Sequence, residues 1–206
     1  MGCYEINTKF KGARTYIQGP DILNQVMGVI NGRHDGDLAN IKFLIHQMVN
    51  GNLTLELTSE DNLNPDPDEV AVIRLQANGK PLLGRIKRGR GQPLERVPYD
   101  ELLVTEQCVI DREKRSITLE RDSSGFTPIE ILVSMNKALH LAVLEKAKDA
   151  SWVFCRWEGP EWPLPASLAG VCVSIEQTLG TRLTRSTVKL GGKGIGSIYF
   201  SAKAAS

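Results

Sequence analysis

Residues 127–146 read TPIEILVSMNKALHLAVLEK, and the architecture turns on this stretch. Thr127, Pro128 and Glu130 have the makings of a capping box: a threonine cap, a proline at the first helical position and a carboxylate reaching back. The spacing predicts a helix over about residues 128–147. Ile129, Ile131, Leu132, Val133, Met135, Leu139, Leu141, Val143 and Leu144 cover most of its circumference. Glu130, Ser134, Lys137, Glu145 and Lys148 leave only a narrow polar stripe. A helix that is apolar nearly all round is expected to be buried on most sides.

The remaining chain supplies strands to bury it. Tyr4 to Phe10 alternates weakly and reads as a first strand. Gly19-Pro20-Asp21 opens a shorter helix with Ile22, Leu23, Val26, Val29 and Ile30 as its apolar face, closed by Asn31-Gly32. From Ile41 the period falls to two. Asn50-Gly51 lies between Ile41–Ile45 and Leu53–Leu57 and predicts a hairpin. Asn78-Gly79 predicts a second, joining Val70–Leu75 to Leu82–Ile86. A third is expected between Leu102–Ile110 and Ile117–Leu119. Trp152–Trp157, Val171–Ile175, Thr184–Leu190 and Ile195–Ser201 read as further strands. Gly159-Pro160 and Pro163–Pro165 are expected to break the chain.

The expected fold class is α+β: predominantly antiparallel β hairpins forming a curved sheet around one largely buried helix, with a second, shorter helix. In element order this resembles the hot-dog arrangement, by analogy only. Residues 1–206 read as a single domain. A two-part organisation, 1–98 and 99–206, is the alternative, because each half offers a Pro-opened helix with strands.

Composition narrows the class. With 25 Lys+Arg against 24 Asp+Glu the chain is nearly neutral, which disfavours a large polyanion footprint. No apolar run approaches a membrane span. Cys3, Cys108, Cys155 and Cys172 form no CxxC pair, so free thiols in a reducing compartment are expected. No basic leader precedes a hydrophobic run, and Ile6 stands where a myristoylation motif wants Ser or Thr. The reading is a soluble, cytoplasmic protein. A homodimer would be one way to cover an edge strand.

Charge is nevertheless gathered in one place. The string Gly84-Arg-Ile-Lys-Arg-Gly-Arg-Gly91 holds Arg85, Lys87, Arg88 and Arg90. Arginine forks and glycine-rich backbone suit a phosphate-bearing ligand. No aromatic residue interleaves these cations, so nucleic acid is the weaker expectation. Glu56, Glu60, Asp61, Asp66, Asp68 and Glu69 lie just upstream and compete as partners. Trp152, Trp157 and Trp162 fall close together with Arg156 among them and suggest a pocket wall or a subunit contact; the competing reading is core packing. Alternation puts Trp152, Phe154 and Arg156 on one strand face.

On the long helix, Asn136 and His140 are four apart and share a face, beside the polar stripe. A histidine with a positioned amide can do acid–base or oxyanion work. No other motif is met: His34-Asp35-Gly36-Asp37 reads as a turn, and Gly191–Gly196 fails both nucleotide-binding spacings and reads as a hairpin turn. No metal site is indicated, and the cofactor is unknown. The sequence thus points to a small-molecule-binding protein or an enzyme, with an acyl thioester as the concrete ligand. The alternative is a non-enzymatic interaction module that binds nucleic acid or a protein partner.

Overall fold

A computed structural model describes residues 2–59, 66–144, 150–180 and 182–204. The chain divides into two compact units, Met1–Tyr99 with Glu158–Pro163, and Asp100–Trp157 with Leu164–Ser206.

The first unit carries β1 (Gly2–Ile6), β2 (Phe10–Lys11), α1 (Gly19–Asn31), β3 (Leu38–Ile45), β4 (Leu53–Thr58), β5 (Glu69–Ala77), β6 (Lys80–Arg88) and β7 (Arg96–Val97). Its main sheet runs β1-β4-β6-β5-β3, and β2 and β7 form a separate parallel pair. Pro20, Ile22, Leu23, Val26, Met27 and Ile30 of α1 are buried. The sheet of this unit buries Ile41, Phe43, Leu53, Leu55, Ile73 and Ile86, all 1% exposed or less. At about 25 cal/mol per Å² of apolar surface, such side chains contribute roughly 1.5–3 kcal/mol each.

The second unit carries α2 (Leu102–Thr105), β8 (Cys108–Asp111), β9 (Ser116–Leu119), α3 (Pro128–Val143), β10 (Ala150–Trp162), β11 (Val171–Leu179), β12 (Leu183–Leu190) and β13 (Lys193–Ala204). Its sheet order is β10-β13-β12-β11-β9-β8. The last residues of β10, from Glu158, belong to the first unit. The capping box forms as read: Glu130 Oε2 accepts from the Thr127 backbone N–H at 2.9 Å and from its hydroxyl at 2.5 Å. The expected 145–147 end of this helix lies outside the described residues.

The α+β class, the antiparallel sheets and the buried long helix are as the sequence predicts. The Asn78-Gly79 hairpin also forms: Ala77 pairs with Lys80, and both turn residues take positive φ, 52° and 74°. Four local readings are corrected. Asn50-Gly51 does not close a hairpin, because β3 pairs with β5 while β4 lies between β1 and β6. Gly51 is engaged elsewhere: its carbonyl lies 3.2 Å from the Thr8 hydroxyl, and the neighbouring Asn52 Oδ1 accepts from the Thr8 backbone N–H at 3.1 Å. Leu102–Thr105 is a short helix, so only Cys108–Asp111 of that run forms a strand with β9. Gly159-Pro160 does not break the chain, and β10 continues to Trp162. Leu141, read as part of the apolar cover of the long helix, is exposed, while Glu130 and Ser134 of the polar stripe are buried.

The glycines of the basic string have a packing role. A Cβ on Gly84 would come within 2.7 Å of Ile73 Cγ2 and 3.0 Å of Leu55 Cδ1, and one on Gly89 within 2.9 Å of the Leu53 backbone. Gly84 is therefore a close-approach position inside the sheet's buried face. Gly84→Ala should lower stability by about 1–3 kcal/mol through overpacking. Urea denaturation of the two proteins would measure this as a lower midpoint at an unchanged slope.

Candidate functional site

Buried polar side chains mark where a protein departs from simple packing. Among the described residues of the first unit only Thr8 and Gln18 are polar and buried. The second unit buries Ser116, Glu130, Ser134, Asn136, His140, Thr184, Ser186 and Ser197. Candidate chemistry is concentrated there.

Its centre is His140, which α3 presents to the sheet. The His140 Nδ1 lies 2.6 Å from the Asn136 carbonyl oxygen, and Nε2 lies 2.6 Å from Thr184 Oγ1 on β12. A carbonyl can only accept, so Nδ1 carries the proton. The neutral ring then offers its Nε2 lone pair to the Thr184 hydroxyl. The imidazole is stacked on Phe200 of β13, with ring centroids 5.0 Å apart, and meets Trp152 of β10 at 4.8 Å. Burial among these groups pulls its pKa from 6.5 down to about 4; the hydrogen bond to the Asn136 carbonyl opposes this shift and Arg115 adds to it. The histidine is thus a neutral, oriented base at ordinary pH.

Several neighbouring polar atoms have no partner. Asn136 is fully buried, yet both its Oδ1 and its Nδ2 lack a hydrogen bond. The Ser186 hydroxyl, two residues along β12 from Thr184, is likewise buried and unpartnered, as is Trp152 Nε1. Leaving such a group unsatisfied costs about 1–3 kcal/mol. Successive even-numbered residues of a strand share a face, so Thr184 and Ser186 point the same way.

Asn136, His140 and Trp152 of the sequence candidates belong to this cluster. Trp157 is fully buried in the same unit, with its indole N–H unpartnered. Arg156 does not share the face of Trp152 and Phe154. Its guanidinium lies 4.8 Å over Tyr199, whereas Phe154 meets the adjacent Phe200. Strict alternation therefore fails between residues 154 and 157. Trp162 falls in the first unit and is half-buried. Burial pushes the Cys155 thiol up to about 11, which makes it a poor nucleophile. Sequence reasoning missed Thr184 and Ser186. Their signal was the alternation of Arg185 and Lys189 against Thr184, Ser186 and Val188, which marks the second set as inward.

The basic string is not a free loop, because Arg85, Lys87 and Arg88 are residues of β6. Arg85 Nη1 bonds Glu69 Oε2 at 2.9 Å, and the other Glu69 oxygen meets His46 Nε2 at 3.0 Å. Lys87 reaches both Glu56 and Asp66 at 2.8 Å. These contacts raise the lysine's pKa and lower that of Asp66. Arg88 donates to Gln47 Oε1 at 3.1 Å, and Arg90 is exposed. Of the acidic residues upstream, Glu56, Asp66 and Glu69 are thus the partners of Arg85 and Lys87; Glu60 and Asp61 lie outside the described residues. Among those described, no group of His, Cys, Asp and Glu is placed to hold a metal ion, and no helix is long and apolar enough to cross a membrane. A shallow cleft of about 580 Å³ beside α1, walled by Tyr4, Glu5 and Arg33, brings together no buried polar group.

No protein-family model matches the chain, and no curated protein does. Solved structures do. A tesB protein of Mycobacterium avium subsp. paratuberculosis superposes with a TM-score of 0.50 at 8% identity, over 99% of this chain and 93% of that one. A protein described as a thioesterase II from Thermobifida fusca gives 0.49 at 13% identity, over 100% and 93%. An acyl-ACP thioesterase from Bacteroides thetaiotaomicron gives 0.48 at 12% identity, over 98% and 97%. Likeness at this identity is one of fold: the helix-and-antiparallel-sheet arrangement is that of the hot-dog proteins.

Two outcomes follow from these contacts. Arg85→Gln removes one partner of a largely buried ion pair and should destabilise the protein by about 1–3 kcal/mol in urea. His140 binds its proton more weakly folded than unfolded. Its contribution is therefore full above pH 6.5 and is lost as pH falls towards about 4. Comparing urea midpoints at about pH 7 and about pH 4.5, the parent should lose up to ~3 kcal/mol more than His140→Gln.

Proposed function

We propose that this protein is an enzyme acting on an acyl thioester, with its reacting centre at the buried polar cluster on α3 and β12. One observation supports this above the others: a neutral, oriented imidazole whose free lone pair meets a hydroxyl, beside an amide with no partner of its own. The arrangement suits acyl chemistry. A thioester carbonyl needs a base to activate the attacking oxygen and a fixed donor where negative charge develops. His140 is the base in this reading, and Asn136 Nδ2 is the donor that faces the carbonyl oxygen. Trp152, Phe154 and Phe200 provide apolar surface for an acyl chain.

Arg85 and Lys87, first candidates for the phosphates of a coenzyme carrier, are already bonded to carboxylates and have no part in this reading. The non-enzymatic alternative gains no support from them either.

The test is thiol release from octanoyl-coenzyme A by the purified full chain. Asn136→Ala should lower kcat/KM by about 10²-fold or more, with the fold intact by circular dichroism. A base must be neutral to act, so activity should fall only as pH drops through about 4, not through 6.5. Thiol release at the level of free solution, or equal rates for parent and Asn136→Ala, would reject the reading.

A further inference from the structure

We propose that Thr184 is a covalent nucleophile, and that the protein passes through an acyl ester on its side-chain oxygen. The inference rests on the acyl-thioester reading above and adds the attacking atom.

The geometry is that of an activated hydroxyl. Thr184 Oγ1 lies 2.6 Å from His140 Nε2, and His140 is in turn held by the Asn136 carbonyl 2.6 Å from Nδ1. Nucleophile, base and orienting group stand in line, each within hydrogen-bond reach of the next. The orienting group is a backbone carbonyl, which fixes the tautomer without adding a charge. Phe200 is stacked on the ring and Trp152 is tilted against it, so the imidazole cannot turn away. Thr184 and His140 are both fully buried, and the Nε2 lone pair is already taken by the Thr184 hydroxyl. The atom best placed to be deprotonated is therefore the threonine hydroxyl. Direct attack by water would require the Thr184–His140 bond to be broken first.

The unpartnered groups complete the arrangement. Asn136 Nδ2 has no acceptor, and Ser186 Oγ, on the same face of β12 as Thr184, has no partner. A carbonyl oxygen brought to Asn136 would satisfy the first. A packed core with no reactive role would gain by replacing these groups with apolar ones.

The chemistry balances. Thr184 Oγ1 attacks the thioester carbonyl carbon, and its proton moves to His140 Nε2. The C=O electron pair moves onto oxygen, facing Asn136 Nδ2. Collapse breaks the C–S bond, and the departing sulfur takes the proton from His140. Water then attacks the acyl ester, giving its proton to His140. The C–Oγ1 bond breaks, and Thr184 regains that proton. Thioester and water become acid and thiol, and the protein is unchanged.

The experiment uses the full chain with two octanoyl thioesters, of coenzyme A and of N-acetylcysteamine, in the presence of hydroxylamine. A common acyl-enzyme divides between water and hydroxylamine in one ratio whatever thiol has left. Acid-quenched samples are digested and the peptide containing residue 184 is weighed. Expected are one acid-to-hydroxamate ratio for both thioesters and an octanoyl adduct on that peptide. Thr184→Val should lose about 10³-fold or more in turnover, and Thr184→Ser, which keeps a hydroxyl, should lose far less than Thr184→Val and carry the adduct on the new side chain. Turnover with two different ratios, or Thr184→Val within a few-fold of the parent, would overturn the nucleophile while leaving the thioester function standing. A folded parent that releases no thiol from either compound would overturn both.

Discussion

The second unit depends on one constraint: α3 must bury almost its whole circumference, polar residues included. A helix this apolar is stable only when wrapped, and wrapping it carries Asn136 and His140 into the interior with their neighbours. A buried imidazole that must stay neutral needs a proton on one nitrogen and a donor for the other. The Asn136 carbonyl and the Thr184 hydroxyl meet those two needs. The packing requirement thus creates the hydrogen-bonded line, and the line fixes the ring's tautomer and orientation.

The first unit shows what the same architecture looks like without that complication. The fully buried residues of α1 are all apolar, and its one acidic residue in the first turn, Asp21, is paired with Lys11. Its charges lie across β4, β5 and β6, where Glu56, Glu69, Arg85 and Lys87 stand in register: Glu56 opposite Arg85 and Glu69 opposite Lys87. The bonds actually made are diagonal, Arg85 to Glu69 and Lys87 to Glu56, within reach of long side chains on neighbouring strands. Ion pairs of this kind favour one strand register, because a one-residue slip would put these charges into the apolar face.

Periodicity carried most of the fold into view. The capping box at Thr127, the alternation of β4 and the Asn78-Gly79 turn are local codes, and each produced its element. Where the reading failed, tertiary pairing outweighed a local code. Asn50-Gly51 looks like a hairpin turn, but the β5–β6 hairpin pairs with both β3 and β4 and separates them. No short-range pattern records such an insertion. The basic string misled for a related reason. Its glycines suggested a phosphate site, whereas at Gly84 the side chains of Ile73 and Leu55 occupy the space a Cβ would need. Half of the central pair was legible, since Asn136 and His140 are four apart on one helix. Thr184 was not, because it lies 44 residues from His140 and nothing local links them.

That separation bears on how the cluster came to be buried. A core histidine needing only satisfaction could have taken a backbone carbonyl for one nitrogen and an ordered water for the other. Here the second partner is a β-branched hydroxyl from a strand, with few rotamers and little freedom to move. Such a choice costs side-chain adaptability and leaves Asn136 and Ser186 unpartnered nearby, two departures from an economical core in one place. Natural cores keep departures of this kind where a ligand or a reaction makes use of them. In the first unit the fully buried residues of α1 are all apolar. The polar line of the second unit therefore follows from the residues α3 carries, Asn136 and His140, and not from wrapping a helix as such.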